Sequence, residues 1–275
     1  MLTRLAVFLL ESSPALRRIL WRWWYGKLAR RFTADEWTFM NYGFLARPAG
    51  EPGLSAVPLA PEDEPDRLCI QLYHRVASAA SLAGARVLEV GSGRGGGASY
   101  LARYHRPAQY TGADFSPQAV AWSRRRHAAV PHLDFTVGDA EHLPFPDARF
   151  DAVINVESSH CYGHVERFFA EAARVLKPGG HFLYTDFREA ADMERLEREL
   201  AARPDWQRIA REDITAAVAD AMQADDERKR RLIDAYIPPR LQPLFGEFAG
   251  LVGGEIYSGF RAGRLRYVRF AFRRT

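Results

Sequence analysis

Between residues 67 and 188, short apolar runs alternate with longer amphipathic stretches. Apolar residues recur at helical spacing over residues 67–82. Five short apolar runs that follow predict β-strands at 86–90, 110–114, 133–137, 152–156 and 181–185. The stretches between them predict helices near 97–105, 118–129 and 165–176. Alternation of strand and helix indicates a parallel sheet with right-handed crossovers, so we expect a doubly wound α/β fold.

The segments outside this alternation differ in pattern. Residues 46–66 are rich in proline, glycine and acids, which predicts a connector or covering loop. Residues 189–249 are charged and helical in pattern, and two runs at 255–260 and 264–272 predict a closing β-hairpin. We therefore expect five regions: an N-terminal helical cap at 1–45, the connector at 46–66, a ligand-binding core at 67–188, a helical lid over the substrate at 189–250, and a hairpin at 251–275 that completes the sheet.

The first 32 residues carry an apolar run at 5–10 that is too short for a membrane span and lacks a cleavage pattern for export. Residues 4–32 interleave arginine and lysine with tryptophan, tyrosine and phenylalanine. This mixture suits a lipid headgroup interface, which predicts peripheral contact of residues 1–32 with the inner membrane surface. A helix packed over the catalytic domain accounts for the same pattern, and the sequence leaves both alternatives open.

Composition limits the size of the core, the partners and the cellular compartment that we expect. A chain of 275 residues with 47% hydrophobic content can bury one sizeable core and a few accessory elements. The net charge of +4 balances 38 basic against 34 acidic residues, so we expect no nucleic-acid partner. Cys69 and Cys161 are too few for a disulfide framework, which indicates a reducing cytoplasm. Nothing in the composition indicates an oligomeric state.

A glycine-rich run leaves the first predicted strand and enters a predicted helix: Glu89-Val-Gly91-Ser-Gly93-Arg-Gly95-Gly-Gly97. Glycines in this position let the backbone approach a ligand closely. The run is ambiguous by itself, because Gly91, Gly93 and Gly96 also satisfy the dinucleotide-binding pattern. Glu89 favours another ligand, since a carboxylate there repels pyrophosphate and suits an ammonium or a sulfonium.

Carboxylates end three successive predicted strands. Asp114 and Asp139 each follow 25 positions after the preceding acid of the series, which begins at Glu89. Ligands of a doubly wound sheet bind beyond the carboxyl ends of the strands, so these acids should line one crevice. We expect Asp114 to accept hydrogen bonds from both ribose hydroxyls, and Asp139 with the Ala140 backbone to recognise adenine.

The order of these motifs resembles that of the class I S-adenosylmethionine-dependent methyltransferases. The resemblance includes Glu89 to Gly95, Asp114, Gly138-Asp-Ala-Glu-His-Leu-Pro-Phe145, Phe150-Asp151 and Leu176-Lys-Pro-Gly-Gly180. It implies a mostly parallel, seven-stranded sheet whose last strand is antiparallel. It also implies S-adenosylmethionine as the cofactor and S-adenosylhomocysteine as its product. The cofactor-binding residues that we expect are Tyr73, Glu89, Gly91, Gly93, Gly95, Asp114, Phe115, Asp139, Ala140, Glu141 and Asn155.

Within that class, the chain is similar to the phthiotriol and phenolphthiotriol dimycocerosate methyltransferases. Four runs carry this similarity: Trp21-Arg-Trp-Trp-Tyr25, Leu72-Tyr-His-Arg75, Gly95-Gly-Gly-Ala-Ser-Tyr-Leu101 and Asn155-Val-Glu-Ser-Ser-His-Cys-Tyr162. The resemblance implies a methyl acceptor that is a polyketide or lipid-like secondary metabolite.

A neutral hydroxyl that attacks a methyl group needs a base to remove its proton. Histidine suits this task at neutral pH, and His160 lies just past the fourth predicted strand, where the crevice opens. We predict His160 as the general base, with His164 as the alternative and Glu157 as the group that orients the imidazole or binds substrate. These residues also fit a helix start that only caps or packs. We expect no metal at this cluster.

Two other functions remain compatible with the sequence. The first is methylation of carbon in an isoprenoid or sterol-like alkene, where aromatic faces stabilise a carbocation. Tyr42 and Tyr162 are the substrate-contacting aromatics that we expect in either reaction. The second is a non-catalytic protein that binds the cofactor and transfers nothing. We favour methylation of a hydroxyl on a small hydrophobic acceptor.

Overall fold

The structure, a computed structural model, describes residues 37–45 and 57–275. The expected membrane-surface segment at 1–32 and most of the predicted connector lie outside the described residues. The end of that connector, at Pro61–Asp66, forms a short 3₁₀ helix rather than an irregular loop. A proline in the first turn is compatible with a helix start, because its missing N–H has no intrahelical partner there.

Seven strands of the described residues form a single sheet: β1 (Arg86–Val90), β2 (Gln109–Asp114), β3 (Leu133–Val137), β4 (Phe150–Val156), β5 (Leu176–Glu189), β6 (Trp206–Asp213) and β7 (Leu265–Arg274). Their order in the sheet is β3-β2-β1-β4-β5-β7-β6. Strands β1 to β5 are parallel, and β7 is antiparallel to both β5 and β6. This topology confirms the predicted doubly wound fold with an antiparallel last strand.

Helices cover both faces of the sheet, because successive side chains of a strand point to opposite faces. The helices of the described residues are α1 (Arg67–Ala77), α2 (Gly96–His105), α3 (Pro117–Arg126), α4 (Val165–Val175), α5 (Ala190–Ala202), α6 (Thr215–Ala224), α7 (Asp226–Tyr236), α8 (Gln242–Ala249) and α9 (Glu255–Arg261). Val87 of β1 belongs to an apolar cluster with α1, α2 and α6, whereas Leu88 belongs to the cluster with α4 and α5.

The prediction for the C-terminal third was wrong at two places. The expected helical lid at 189–250 contains a strand, β6, which forms the edge of the sheet and carries mostly exposed polar residues. An edge strand of that kind lacks the alternation that identifies a strand. The run at 255–260 is helix α9, because Ile256 and Phe260 lie one turn apart and pack against the core. The closing hairpin is therefore absent, and β7 pairs with β5 and β6 instead.

The helices between β6 and β7, residues 215–261, form the insert that remains a candidate for the substrate lid. Among the described residues, no helix is both long and apolar enough to traverse a bilayer. Cys69 and Cys161 are both free thiols.

Candidate active site

The glycine-rich loop joins β1 to α2 in a backbone conformation that favours glycine. Gly91 and Gly93 have φ angles of 79° and 52°, in the left-handed region where a side chain is strained. A Cβ on Gly91 would collide with the Ser158 hydroxyl. Among the described residues, a Cβ on Gly93 would lie nearest the Met40 sulfur, at 3.7 Å, an ordinary contact distance. The loop therefore presents backbone without side chains at the carboxyl end of β1, and Met40 lies beside it at Gly93.

Asp114 ends β2 beside this loop and anchors it. One carboxylate oxygen accepts a hydrogen bond from Gly93 N–H at 2.8 Å, and the other accepts one from Ser116 N–H at 2.8 Å. Burial raises the pKa of Asp114 to about 6, although these two hydrogen bonds oppose the rise. The side chain is still partly exposed, so it can accept further hydrogen bonds from a ligand.

A cavity of about 340 Å³ opens at the ends of β2 and β3, and its lining includes Phe115 and Asp139. Asp139 accepts the Glu141 N–H at 3.0 Å, which fixes the turn after β3. Ala140 is buried in that turn. The lining residues are Phe115, Pro117, Val137, Gly138, Asp139, His142 and Pro144. Apolar side chains with one carboxylate at the rim suit a flat heteroaromatic ring that carries an amino group.

Glu89 lies deeper than the sequence suggested. It is fully buried, and its two oxygens accept hydrogen bonds from the hydroxyls of Tyr73 and Tyr110, both at 2.8 Å. Burial raises the pKa of Glu89 to about 7 against those hydrogen bonds. The ring of Tyr73 packs directly on Gly97, at the start of α2. Glu89 and Tyr73 thus support the loop from beneath.

Two predicted site residues have partners at the start of α4 in the structure. Glu141 accepts hydrogen bonds from the backbone N–H groups of Gly163 and His164, at 2.9 and 3.1 Å, and so caps the start of α4. The His164 ring pairs with Glu166 on the same helix at 3.2 Å, and its side chain is 39% exposed. His164 is therefore placed as a surface residue at a helix start.

Asn155 joins three groups at the carboxyl end of β4. Its Nδ2 lies 2.8 Å from Val90 O, 2.8 Å from Ser158 Oγ and 2.9 Å from the Tyr162 hydroxyl. Its Oδ1 is buried without a hydrogen-bond partner among the described residues. A buried acceptor without a donor carries a free-energy cost that a ligand's N–H can remove.

His160 and Asp186 form the main ionisable pair of the site. The His160 Nδ1 lies 2.8 Å from Asp186 Oδ1, and the His160 backbone N–H donates to Asp186 Oδ2 at 2.9 Å. Burial disfavours the charged imidazole, but Cys161 and the Asp186 carboxylate outweigh it and hold the pKa of His160 well above its ordinary value. The Phe187 ring lies beside the imidazole, with 4.6 Å between ring centroids.

Asp186 has further partners that sequence reasoning missed. The Ser159 hydroxyl donates to Asp186 Oδ2 at 2.6 Å, and Arg188 lies 3.1 Å from the same oxygen. Although burial opposes ionisation, Arg188 and His160 hold the pKa of Asp186 well below its usual range. A signal was present in the sequence, because Asp186 directly follows the predicted strand 181–185, as Glu157 follows the predicted strand 152–156. In the structure, β5 continues past Asp186 to Glu189.

Glu157 occupies the other side of the β4 end. Its φ of 49° places a non-glycine residue in a strained region, which often marks a functional position. Its Oε2 accepts hydrogen bonds from Tyr42 N–H at 3.0 Å and from the Tyr267 hydroxyl at 2.9 Å. Burial raises the pKa of Glu157 to about 7 against these hydrogen bonds. The positive charge of His160 opposes the rise as well.

Tyr42 belongs to a segment that we name the strap, residues 37–45. The strap crosses the glycine loop, because Phe39 packs on Gly96 and Met40 approaches Gly93. Tyr42 is 7% exposed, and its ring packs against Phe187 with 5.5 Å between centroids. The strap therefore links the cofactor loop to the Glu157 side of the crevice.

These features fit S-adenosylmethionine, the cofactor that the motifs predict. The glycine loop offers backbone that it can approach closely, and Asp114 offers acceptors for ribose hydroxyls. The Asn155 Oδ1, which has no hydrogen-bond partner among the described residues, suits its ammonium group. The partly exposed Asp114 and Asp139 place carboxyl groups at two strand ends, which suits its positive charge.

Comparison with known proteins identifies the family. Residues 88–184 match the family model described as a methyltransferase domain. The chain is 38% identical over 271 residues to a phthiotriol/phenolphthiotriol dimycocerosates methyltransferase of Mycobacterium leprae, and the match covers 98% of each chain. It is 45% identical over 248 residues to a fatty-acid O-methyltransferase of Mycolicibacterium smegmatis, which covers 90% of this chain and 87% of that protein.

A solved geranyl diphosphate methyltransferase, in complex with GPP and sinefungin, has the same fold. It superposes with a TM-score of 0.66 at 17% identity and covers 94% of this chain and 100% of that chain. The cofactor prediction and the family resemblance are confirmed. The chain is an S-adenosylmethionine-dependent methyltransferase, and it belongs to the family of the phthiotriol/phenolphthiotriol dimycocerosates methyltransferases.

Proposed function

We propose that this enzyme methylates a hydroxyl of a lipid-like acceptor, with His160 as the general base and Asp186 as the residue that orients it. The His160–Asp186 pair carries the proposal. In the neutral imidazole, a proton on Nδ1, donated to Asp186 at 2.8 Å, makes Nε2 the ring atom that accepts the proton of the acceptor hydroxyl. Because the pKa of His160 is raised, the fraction of the ring in this form grows as the pH rises. The pair lies at the carboxyl ends of β4 and β5, where doubly wound folds bind their ligands.

The cofactor supplies an electrophilic methyl group when it is bound. We assign the ribose hydroxyls to Asp114, the adenine to the cavity at Phe115 and Asp139, and the ammonium group to Asn155. Glu89 and Tyr73 act indirectly, because they support the loop and do not face the ligand. The strap excludes water from above the loop, which strengthens these polar interactions.

Two observations support a lipid-like acceptor. Relatives named for dimycocerosates and for fatty acids act on lipid-like molecules, which favours a hydrocarbon-bearing acceptor here. Beside His160, the partly buried Phe187 ring gives the site an apolar wall, which favours a hydrocarbon-bearing acceptor. The rings of Tyr42, Phe260 and Tyr267 back this wall and are themselves buried in the core. Contact of residues 1–32 with a membrane would bring the enzyme to such an acceptor.

A second candidate is methylation of a fatty-acid carboxyl group, which the 45% identical fatty-acid O-methyltransferase favours. A carboxylate is already deprotonated at neutral pH, so this reaction needs no base. The two reactions therefore differ in how strongly they depend on His160.

Product analysis with matched acceptors tests the proposal. The enzyme would receive S-adenosylmethionine with a deuterated methyl group and a long-chain alcohol, the fatty acid of equal length, or the corresponding alkene. We expect a methyl ether from the alcohol by mass spectrometry, with a rate that rises with pH. A methyl ester alone, formed equally well by His160→Ala, would establish the second candidate. A new carbon–methyl bond would establish carbon methylation and contradict the proposal.

A further inference from the structure

We propose that Arg188 is a positioning residue that shares the Asp186 carboxylate with His160 and thereby sets how readily the imidazole takes up a proton. The kinetic consequence of this inference rests on the proposed function. The charge coupling itself does not, because it concerns three side chains of the free enzyme.

The geometry places Asp186 between two cationic side chains. His160 Nδ1 contacts Oδ1 of the carboxylate at 2.8 Å, and Arg188 Nη1 lies 3.1 Å from Oδ2. Ser159 closes the arrangement, because its hydroxyl accepts a hydrogen bond from Arg188 Nη2 at 2.8 Å and donates to Asp186 Oδ2 at 2.6 Å. The Arg188 side chain is 15% exposed and the Asp186 side chain is fully buried, so water screens the interaction weakly.

Charge balance gives Arg188 a definite effect. A carboxylate that faces one buried imidazole stabilises the imidazolium strongly, and a second cation on the same carboxylate offsets part of that stabilisation. Arg188 also repels a proton on His160 directly. Because a general base must be neutral to act, Arg188 keeps more of His160 in the active form near neutral pH.

Other charged groups face His160 from each element around it. Glu157 at the end of β4 and Cys161 in the same turn both favour the imidazolium, as Asp186 does. Tyr42 of the strap and Tyr267 of β7 reach this group through hydrogen bonds to Glu157. Among the described residues shown to act on Asp186, Arg188 is the cation besides His160 itself. Its removal therefore leaves the Asp186 carboxylate to act on the imidazole without that compensation.

A purely structural role makes a different prediction. Arg188 Nη1 also donates to its neighbour's carbonyl, Phe187 O, at 2.7 Å, so the side chain could serve only to hold the end of β5 in shape. Loss of that role would reduce turnover at every pH and leave the titration of His160 in place.

The test is an NMR titration of the His160 ring in four full-length proteins: wild type, Arg188→Gln, Arg188→Lys and Arg273→Met. Gln keeps a polar side chain with an amide donor and removes the charge, and Lys keeps the charge. Arg273 lies at the other end of the same strand pair, opposite His181, and controls for loss of any arginine. Arg188→Met replaces Arg188→Gln if thermal unfolding shows that the latter does not fold.

We expect the His160 midpoint to rise by about one pH unit or more in Arg188→Gln and to stay near the wild-type value in Arg188→Lys and Arg273→Met. The pH–rate profile of Arg188→Gln should shift upward by the same amount and regain the wild-type plateau at high pH. An unchanged His160 midpoint in Arg188→Gln, or an equal rise in Arg188→Lys, would overturn the inference. A shifted midpoint without a shifted rate profile would contradict the general-base role of His160 and leave the charge coupling intact.

Discussion

Glu157 and Asp186 follow paired residues of neighbouring strands, and yet the pKa values of their carboxyl groups shift in opposite directions. Val156 of β4 pairs with Thr185 of β5, so the two acids are the next residues along each strand. Burial raises the pKa of Glu157 to about 7, whereas Arg188 and His160 hold the pKa of Asp186 well below its usual range although burial opposes them. The groups that contact each carboxylate cause this difference in pKa, and the burial of the two side chains does not.

The hydrogen-bond donors to Glu157 are neutral, whereas Asp186 contacts two cationic side chains. A backbone N–H, a tyrosine hydroxyl and the nearby charge of His160 do not outweigh the burial of Glu157, so this residue acts as a clamp that holds the strap. Two cationic side chains keep Asp186 ionised, so it can fix the orientation and the charge of an imidazole. The comparison predicts that substitutions of Asp186 affect chemistry and that substitutions of Glu157 affect mainly stability.

Asp186→Asn should give the largest effect on this comparison. Loss of the charge that orients His160 should lower turnover ~10²–10⁴-fold, the range of general acid–base catalysis. The rate profile should move to lower pH, since the carboxylate that raises the pKa of His160 is gone. Steady-state kinetics would measure both, with S-adenosylhomocysteine affinity as a control that should not change. Turnover close to that of the wild type would place Asp186 outside the chemistry.

Asp114→Ala should have the next largest effect, on binding instead of turnover. Loss of acceptors for charged hydrogen bonds should weaken S-adenosylhomocysteine binding by about 1–3 kcal/mol without unfolding the chain. Because the charged form binds and burial raises the pKa of Asp114 to about 6, wild-type affinity should fall as the pH drops below that value. Calorimetry measures both. Asp134→Ala, on β3 and exposed, is the matched control. Equal affinity of the two variants would remove Asp114 from the cofactor site.

Glu157→Gln should have the smallest effect at neutral pH. A glutamine still accepts the Tyr42 and Tyr267 hydrogen bonds, so turnover should change less than ~10-fold, on the scale of one altered hydrogen bond. The folded-state pKa of Glu157 is raised to about 7, so its contribution to stability is complete below its ordinary value and is lost as pH rises through 7. The variant should therefore gain stability relative to the wild type between pH 5.5 and 8.5 in urea unfolding. If the variant and the wild type differ in unfolding free energy by the same amount at pH 5.5 and at pH 8.5, the claim that Glu157 holds the strap with a raised pKa is contradicted.

The distance in sequence between the residues that form a feature explains whether the sequence could predict it. Strands β1 and β3 match their predicted bounds, and Asp114 and the glycine loop follow from local rules of strand, turn and helix. These features depend on residues that are close in sequence. The structure places Asp114, Phe115 and Asp139 around one crevice, which agrees with the expectation that acids at strand ends meet there.

Features that depend on distant pairing were missed. Asp186 meets His160 across 26 positions, and only the β4–β5 register brings the two together. Strand β6 lacks an apolar face of its own, so its pairing with β7 decides its conformation. Residues 255–260 are rich in β-formers, yet packing selects a helix, because tertiary contacts outweigh propensity.

His160→Ala tests the central claim most directly, with His164→Ala as the matched control on the same segment. Both variants remove one imidazole, but His164 pairs with Glu166 at the surface and His160 pairs with buried Asp186. Turnover of an acceptor alcohol and the affinity for S-adenosylhomocysteine would be measured on both. We predict a ~10²–10⁴-fold loss of turnover in His160→Ala with unchanged affinity, and nearly full turnover in His164→Ala. Nearly full turnover in a folded His160→Ala would contradict the general-base role.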